Sequence, residues 1–176
     1  MSEKTEYLKG VLEQTRDFQG MPTYVAFGDG KWFYTEKQLV WNPEGPDVNR
    51  LEQTSVQRGF VTDLTSIPRP FWSLLPRDGA YVAAAIIHDW NYWFQKQSRE
   101  EADEIFDIGM KELNVADATR KLIFQAVRTG GGSSWRNNKK LRASGEKRVL
   151  KKFPNSAAVT WDQWKKMDSV FNEDFV

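Results

Sequence analysis

Residues 80–106 read AYVAAAIIHDWNYWFQKQSREEADEIF, and they decide the fold. Tyr81, Ala84, Ala85, His88 and Tyr92 recur at three- and four-residue steps, the period of one helix face. Ala83, Ala84 and Ala85 favour helix and let a neighbouring backbone come close. This helix is expected to end near Lys96. Ser98 stands three residues before Glu101, the spacing of a capping box, so a second helix starts there. Ala102, Phe106, Gly109 or Met110, and Leu113 mark its buried face, and Asn114 suits its C-terminal cap. With a joint near Gln97 the two helices fold back as an antiparallel hairpin. Equal distances from the joint set His88 opposite roughly Asp107, and Tyr92 opposite roughly Asp103.

Upstream of the hairpin the pattern is that of strands. Thr23–Phe27 and Lys31–Trp41 are rich in β-branched and aromatic residues and flank Gly28-Asp29-Gly30, which predicts a β-hairpin. Asn42–Asp47 is a loop by composition. Thr54–Val61 is expected to form a strand that delivers the chain to Thr62 and Asp63. Pro68 and Pro70 make Asp63–Arg69 a loop or a single turn. A short apolar segment, Phe71–Leu75, and a turn at Pro76–Gly79 lead into the hairpin. A short helix from Tyr7 to Phe18 is the expectation for the N-terminal stretch.

Downstream, a third helix is expected from about Asp117 to Arg128, with Leu122, Ile123, Ala126 and Val127 apolar. Thr129-Gly130-Gly131-Gly132-Ser133-Ser134 is expected to end it and to be flexible or to let another backbone approach. Trp161 and Trp164, with Val170 or Phe171, predict a last short helix that packs back. The fold class is therefore α+β in one domain spanning 1–176. A β-rich part (1–61) precedes a helical part (62–130) and a basic C-terminal extension (131–176).

Composition narrows the function classes. The chain has 176 residues and eight tryptophans, enough for a real core. Lys and Arg number 25 against 24 acids, so bulk charge does not single out a nucleic-acid partner. The charge is uneven, however: 136–152 carries eight basic residues and one acid. Arg136, Lys139, Lys140 and Arg142 are the candidates there for contact with nucleic acid or another anion. With no cysteine, disulfides, thiolate metal sites and cysteine nucleophiles are excluded. The opening MSEKTEYLKG has no apolar core of a signal peptide, and no apolar run approaches the ~20 residues of a membrane span. The expected location is the cytoplasm in which the chain is made, unless it leaves in a virus particle or by lysis.

His88 is the only histidine. It shares the apolar face of its helix, and Asp103 faces the core from the second helix. A carboxylate there must be paired or change its pKa. A His88–Asp103 contact would fix the imidazole tautomer and raise its basicity, which is how a general base is oriented. Asp89 on the adjacent face, and Asp63 at a strand end, could converge on the same place. Three carboxylates and one imidazole suit Ca2+ or Mg2+ better than Zn2+. Tyr92, Arg69, Thr62 and Ser66 would support the site. The plainer alternative is a buried polar brace that pins the helices. His88-Asp89 invites comparison with the HD phosphohydrolases, but those need further histidines. No G-x-S-x-G elbow exists for a serine hydrolase, and the triple glycine lacks the Lys-Ser/Thr of a P-loop.

Several of these motifs occur in a recognisable order. They are Gly59-Phe60-Val61-Thr62-Asp63-Leu64-Thr65-Ser66-Ile67-Pro68-Arg69, then His88-Asp89-x-x-Tyr92, Glu101-Ala102-Asp103-x-x-Phe106, and Ala126-Val127-Arg128 before glycines. Over about 50–135 the chain resembles a family of phage and prophage proteins, domain of unknown function 1353. That resemblance implies a phage or prophage origin, a place in the host cytoplasm or the virion, and other phage proteins or self-association as partners. It implies no activity. The His88-Asp89-x-x-Tyr92 helix is also similar to that of secreted phospholipases A2. That likeness implies His88 as base for a water, Asp89 as a Ca2+ ligand, Tyr92 as a brace and Asp103 as the orienting carboxylate. This chain lacks their disulfides and glycine-rich calcium loop. The leading expectation is a phage-encoded accessory protein with a hydrolase-like site, acting on an ester. The alternatives are a virion structural or assembly protein and an inhibitor of a host defence system.

Overall fold

The computed structural model describes residues 18–19, 22–64 and 81–175. Ser66, Arg69, the segment Phe71–Leu75 and the turn at Pro76–Gly79 lie outside these residues. So does the helix expected from Tyr7, apart from Phe18, which is in a strand. Among the described residues six short strands precede four α-helices: β1 (Phe18–Gln19), β2 (Tyr24–Ala26), β3 (Phe33–Thr35), β4 (Leu39–Trp41), β5 (Thr54–Val56) and β6 (Val61–Thr62), then α1 (Val82–Phe94), α2 (Arg99–Glu112), α3 (Asp117–Ala143) and α4 (Trp161–Trp164). The class is α+β, as the sequence predicts.

The strands form two antiparallel three-stranded sheets, ordered β1-β4-β5 and β2-β3-β6. The β2–β3 hairpin has the expected turn. The Asp29 carboxylate accepts from the backbone N–H of Lys31 at 2.9 Å, and Gly30 takes a φ of +62°. Lys31–Trp41 is not one strand, however. Glu36, Lys37 and Gln38 are all exposed, and across them the chain leaves one sheet and enters the other. Thr54–Val61 divides in the same way, at Gly59. That residue has a φ of +89°, and a Cβ there would overlap the Leu150 carbonyl.

α1 is the centre of the molecule. Twelve of its thirteen residues are buried, against α2, α3, β4, β5 and β6. Each fully buried residue such as Ile86 or Ile87 contributes about 1.5–3 kcal/mol. Asp89 alone stays half-exposed. The helix ends at Phe94, two residues before the expected Lys96. Arg142 caps it by donating to the carbonyls of Trp93 and Phe94 at 3.0 and 2.7 Å. α2 carries the expected capping box: Glu101 N–H donates to Ser98 Oγ, and Ser98 N–H donates to the Glu101 carboxylate. Asn114 takes the left-handed conformation just past its end.

The third helix does not stop at Arg128. It runs through all three glycines to Ala143. Glycine costs a helix about 1 kcal/mol relative to alanine, and here tertiary contact outweighs it. Trp135 packs edge-on against Tyr92 at 5.1 Å, and Arg142 ties the far end to α1. Of the apolar residues noted in this helix, Ile123 and Val127 are buried while Leu122 is half in solvent. The basic stretch packs into the fold. Its first part lies in α3, and Val149 and Leu150 are buried where they bridge to Phe60 and Phe171. No helix among the described residues is long and apolar enough to cross a membrane.

Candidate functional site

Asp103 is fully buried on α2, and it collects four donors. Its Oδ1 accepts from His88 Nε2 at 3.0 Å and from the Tyr92 hydroxyl at 2.6 Å. Its Oδ2 accepts from Arg99 at 3.1 Å and from Arg128 at 3.0 Å. Thus α1 supplies two partners for one oxygen, while α2 and α3 supply one each for the other. Asp107, the position first set opposite His88, instead pairs with Arg120 at 2.5 Å. Asp103 is one turn nearer the joint and serves both His88 and Tyr92.

The electrostatics follow from this geometry. Burial alone would push the Asp103 carboxyl up, but the hydrogen bonds from His88 and Tyr92, with Arg128, hold it below the usual carboxylate range. Asp103 is therefore an anion and can only accept, so a neutral His88 carries its proton on Nε2 and its lone pair on Nδ1. His88 is 2% exposed, and its ring stacks on Phe106 at 4.6 Å. Its pKa is lowered, because burial outweighs the pull of Asp103. The expected rise in basicity is thus reversed: the Asp103 charge is shared with two guanidiniums, and the imidazole has lost its water. Tyr92 is pushed up, first by burial and then by its bond to Asp103, and it stays a phenol.

His88, Tyr92, Asp63 and Asp89 all line one cavity of about 430 Å3. Thr62, at the end of β6, donates its hydroxyl to Asp89 Oδ2 and accepts from the N–H of Leu64 at 3.0 Å. Leu64 has a φ of +54°, a strained conformation for a side chain of its kind. The chain therefore turns sharply straight after Asp63. Gly130, Gly131 and Ser134 of α3 and Trp32 from the β-rich part form other walls. Arg148 also lines the cavity. It is held between the rings of Trp32 and Trp93, at 4.9 and 4.1 Å, and is paired with Glu146 at 3.1 Å.

The cavity thus gathers Asp63, His88, Asp89 and Tyr92, as expected, with Thr62 in support. It does not gather three carboxylates around an imidazole. Both oxygens of Asp103 are taken up by donors from α1, α2 and α3. Among the described residues no group of three or more His, Asp or Glu side chains is placed to hold a metal ion. Arg136, Lys139 and Lys140 lie exposed on α3, whereas Arg142 is committed to the end of α1. Arg99, Arg128 and Gly131 were not anticipated as part of the site. Arg99 had a signal, since it precedes Asp103 by one helical turn.

Fold and site together define a small α+β protein in which a helical hairpin holds a histidine–aspartate pair beside a cavity. The stretch 46–127 matches the family model described as "Protein of unknown function (DUF1353)". It includes every member of the cluster except Arg128, which follows it directly. The chain is also 33% identical over 78 residues to "Uncharacterized protein y4jT" of Sinorhizobium fredii (strain NBRC 101917 / NGR234). That match covers 43% of this chain and 23% of the relative, so the chain spans less than a quarter of that protein's length. No solved structure matches the chain.

Proposed function

We propose that this is a phage- or prophage-encoded accessory protein whose His88–Asp103 pair serves the hydrolysis of an ester. The observation that carries the proposal is the 3.0 Å bond from His88 Nε2 to Asp103 Oδ1 at the wall of a cavity that Asp63 and Asp89 also line. A neutral imidazole with its lone pair on Nδ1 takes a proton from water as the water oxygen attacks the ester carbonyl. The imidazolium, stabilised by Asp103, then returns that proton to the leaving alkoxide as the C–O bond breaks. General-base assistance of this kind is worth about 10²–10⁴ in rate.

Asp63 and Asp89 are the residues to hold a divalent cation, which would polarise the carbonyl. Two carboxylates suit Mg2+, which keeps several of its waters, better than Ca2+, which takes six to eight oxygens. Hydrolysis of a panel of short-chain esters and phospholipid vesicles, with Ca2+ or Mg2+ and with chelator, tests the proposal. Turnover that falls at least roughly 100-fold in His88→Gln supports it. No turnover by the wild type on any ester rejects it.

One observation favours a second reading. His88 is 2% exposed, and Asp103 is fully buried with all four of its partners drawn from α1, α2 and α3. In a virion structural or assembly protein that network would be a brace joining three helices. His88→Gln would then change stability and assembly, with no reaction to lose.

A further inference from the structure

We infer that Gly131 is a positioning residue for the His88–Asp103 pair. It leaves the space that the Tyr92 hydroxyl needs to reach Asp103. Three adjacent glycines in the middle of a 27-residue helix are costly, and each must be accounted for separately. A Cβ on Gly130 would meet nothing within 4 Å. A Cβ on Gly132 would come within 3.4 Å of the flexible end of Arg136, which can move. A Cβ on Gly131 would overlap the Tyr92 hydroxyl and crowd two carbons of its ring, at 3.2 and 3.4 Å.

Tyr92 has no easy retreat. Its ring lies 4.1 Å from the imidazole of His88 on one side and 5.1 Å from Trp135 on another. Its hydroxyl donates to Oδ1, the same oxygen that takes His88 Nε2. Any side chain at position 131 must therefore push the hydroxyl off Asp103 or move α3 outward. Moving α3 withdraws Arg128, three residues earlier on that helix, from Oδ2. Either way Asp103 loses a partner, and the bond that fixes the His88 tautomer loosens. The inference deepens the hydrolase reading and rests on it for any consequence in catalysis, while the packing argument involves no reaction.

The test uses the full chain. Unfolding midpoints are measured for the wild type, Gly130→Ala, Gly131→Ala, Tyr92→Phe and the Tyr92→Phe/Gly131→Ala double variant. Ring ¹⁵N spectra of the single histidine are recorded for each at one neutral pH. The expected result is a higher midpoint for Gly130→Ala and a lower one for Gly131→Ala. Removing the hydroxyl should cut the loss caused by Gly131→Ala to less than about half, the non-additivity of residues in contact. The wild-type spectrum should show the Nε2–H tautomer, and Gly131→Ala should add the Nδ1–H form. A rise in midpoint for Gly131→Ala would overturn the inference, and so would a loss of equal size with and without the hydroxyl. An unchanged tautomer in Gly131→Ala would overturn it as well. If Gly131→Ala alone does not fold, the double variant decides, because the inference requires it to fold. None of these readouts needs turnover, so a wild type inactive on esters would sink the hydrolase reading and leave this result standing.

Discussion

His88 and Asp103 lie fifteen residues apart on the two arms of a helical hairpin, and their 3.0 Å bond joins two side chains that are 2% and 0% exposed. The carboxylate also takes Tyr92 and two arginines, so it joins three helices through four hydrogen bonds. Breaking a buried pair leaves the remaining charges without a counterion, which costs about 3–5 kcal/mol. Asp103→Asn should sit near the lower end, about 3 kcal/mol, because Arg99 and Arg128 are 21% and 34% exposed and can turn to water. Denaturant titration at neutral pH measures this directly.

Acid should destabilise the protein in two stages. Folded His88 resists protonation, whereas the unfolded chain takes up that proton near the ordinary value of 6.5. The unfolded state therefore binds more protons as pH falls below 6.5, and stability is lost from there downward. Asp103 has the same sign at lower pH. Its contribution is complete above the ordinary 3.8 and is lost as pH falls through its lower folded value. Unfolding followed against pH should show both stages in the wild type. His88→Gln should flatten the first and keep the second.

The basic residues of α3 should separate by role. Arg142→Ala removes two charge-assisted bonds to the end of α1 and should cost about 1.5–3 kcal/mol. Arg136→Ala, Lys139→Ala and Lys140→Ala lie on the exposed surface and should stay within about 0.5 kcal/mol. A salt-dependent affinity for DNA or RNA that these three reduce would make α3 a nucleic-acid surface. Unchanged affinity would leave it solvent-facing.

Divalent cations should raise the unfolding midpoint if Asp63 and Asp89 hold one. Ligand at about 100 times its dissociation constant stabilises by about 2.7 kcal/mol. The rise should be lost in Asp89→Asn. A rise that survives this substitution would place the ion elsewhere.

Local chemistry made much of the site legible in the sequence. Ser98 and Glu101 announce the start of α2, the helical period brings His88 and Tyr92 to one face, and Asp103 must find partners in the core. What stayed hidden depends on distant contacts. The glycines of α3 read as a break because propensity counts only the helix itself, whereas Tyr92, Trp135 and Arg142 hold it from outside. β3 and β4 read as one strand because the change of sheet is set by partners far along the chain. The direction of the His88 shift also turned on how completely its neighbours exclude water, and spacing alone carries no measure of that.

The central claim is that His88 is a neutral imidazole with its proton on Nε2, held by an ionised Asp103. Because the chain has a single histidine, ring ¹⁵N chemical shifts of the wild type at pH 7 report on it without ambiguity. The account predicts one protonated nitrogen, Nε2, with its proton coupled across to the Asp103 carboxylate, and Nδ1 unprotonated. An imidazolium at pH 7, or the proton on Nδ1, would contradict it.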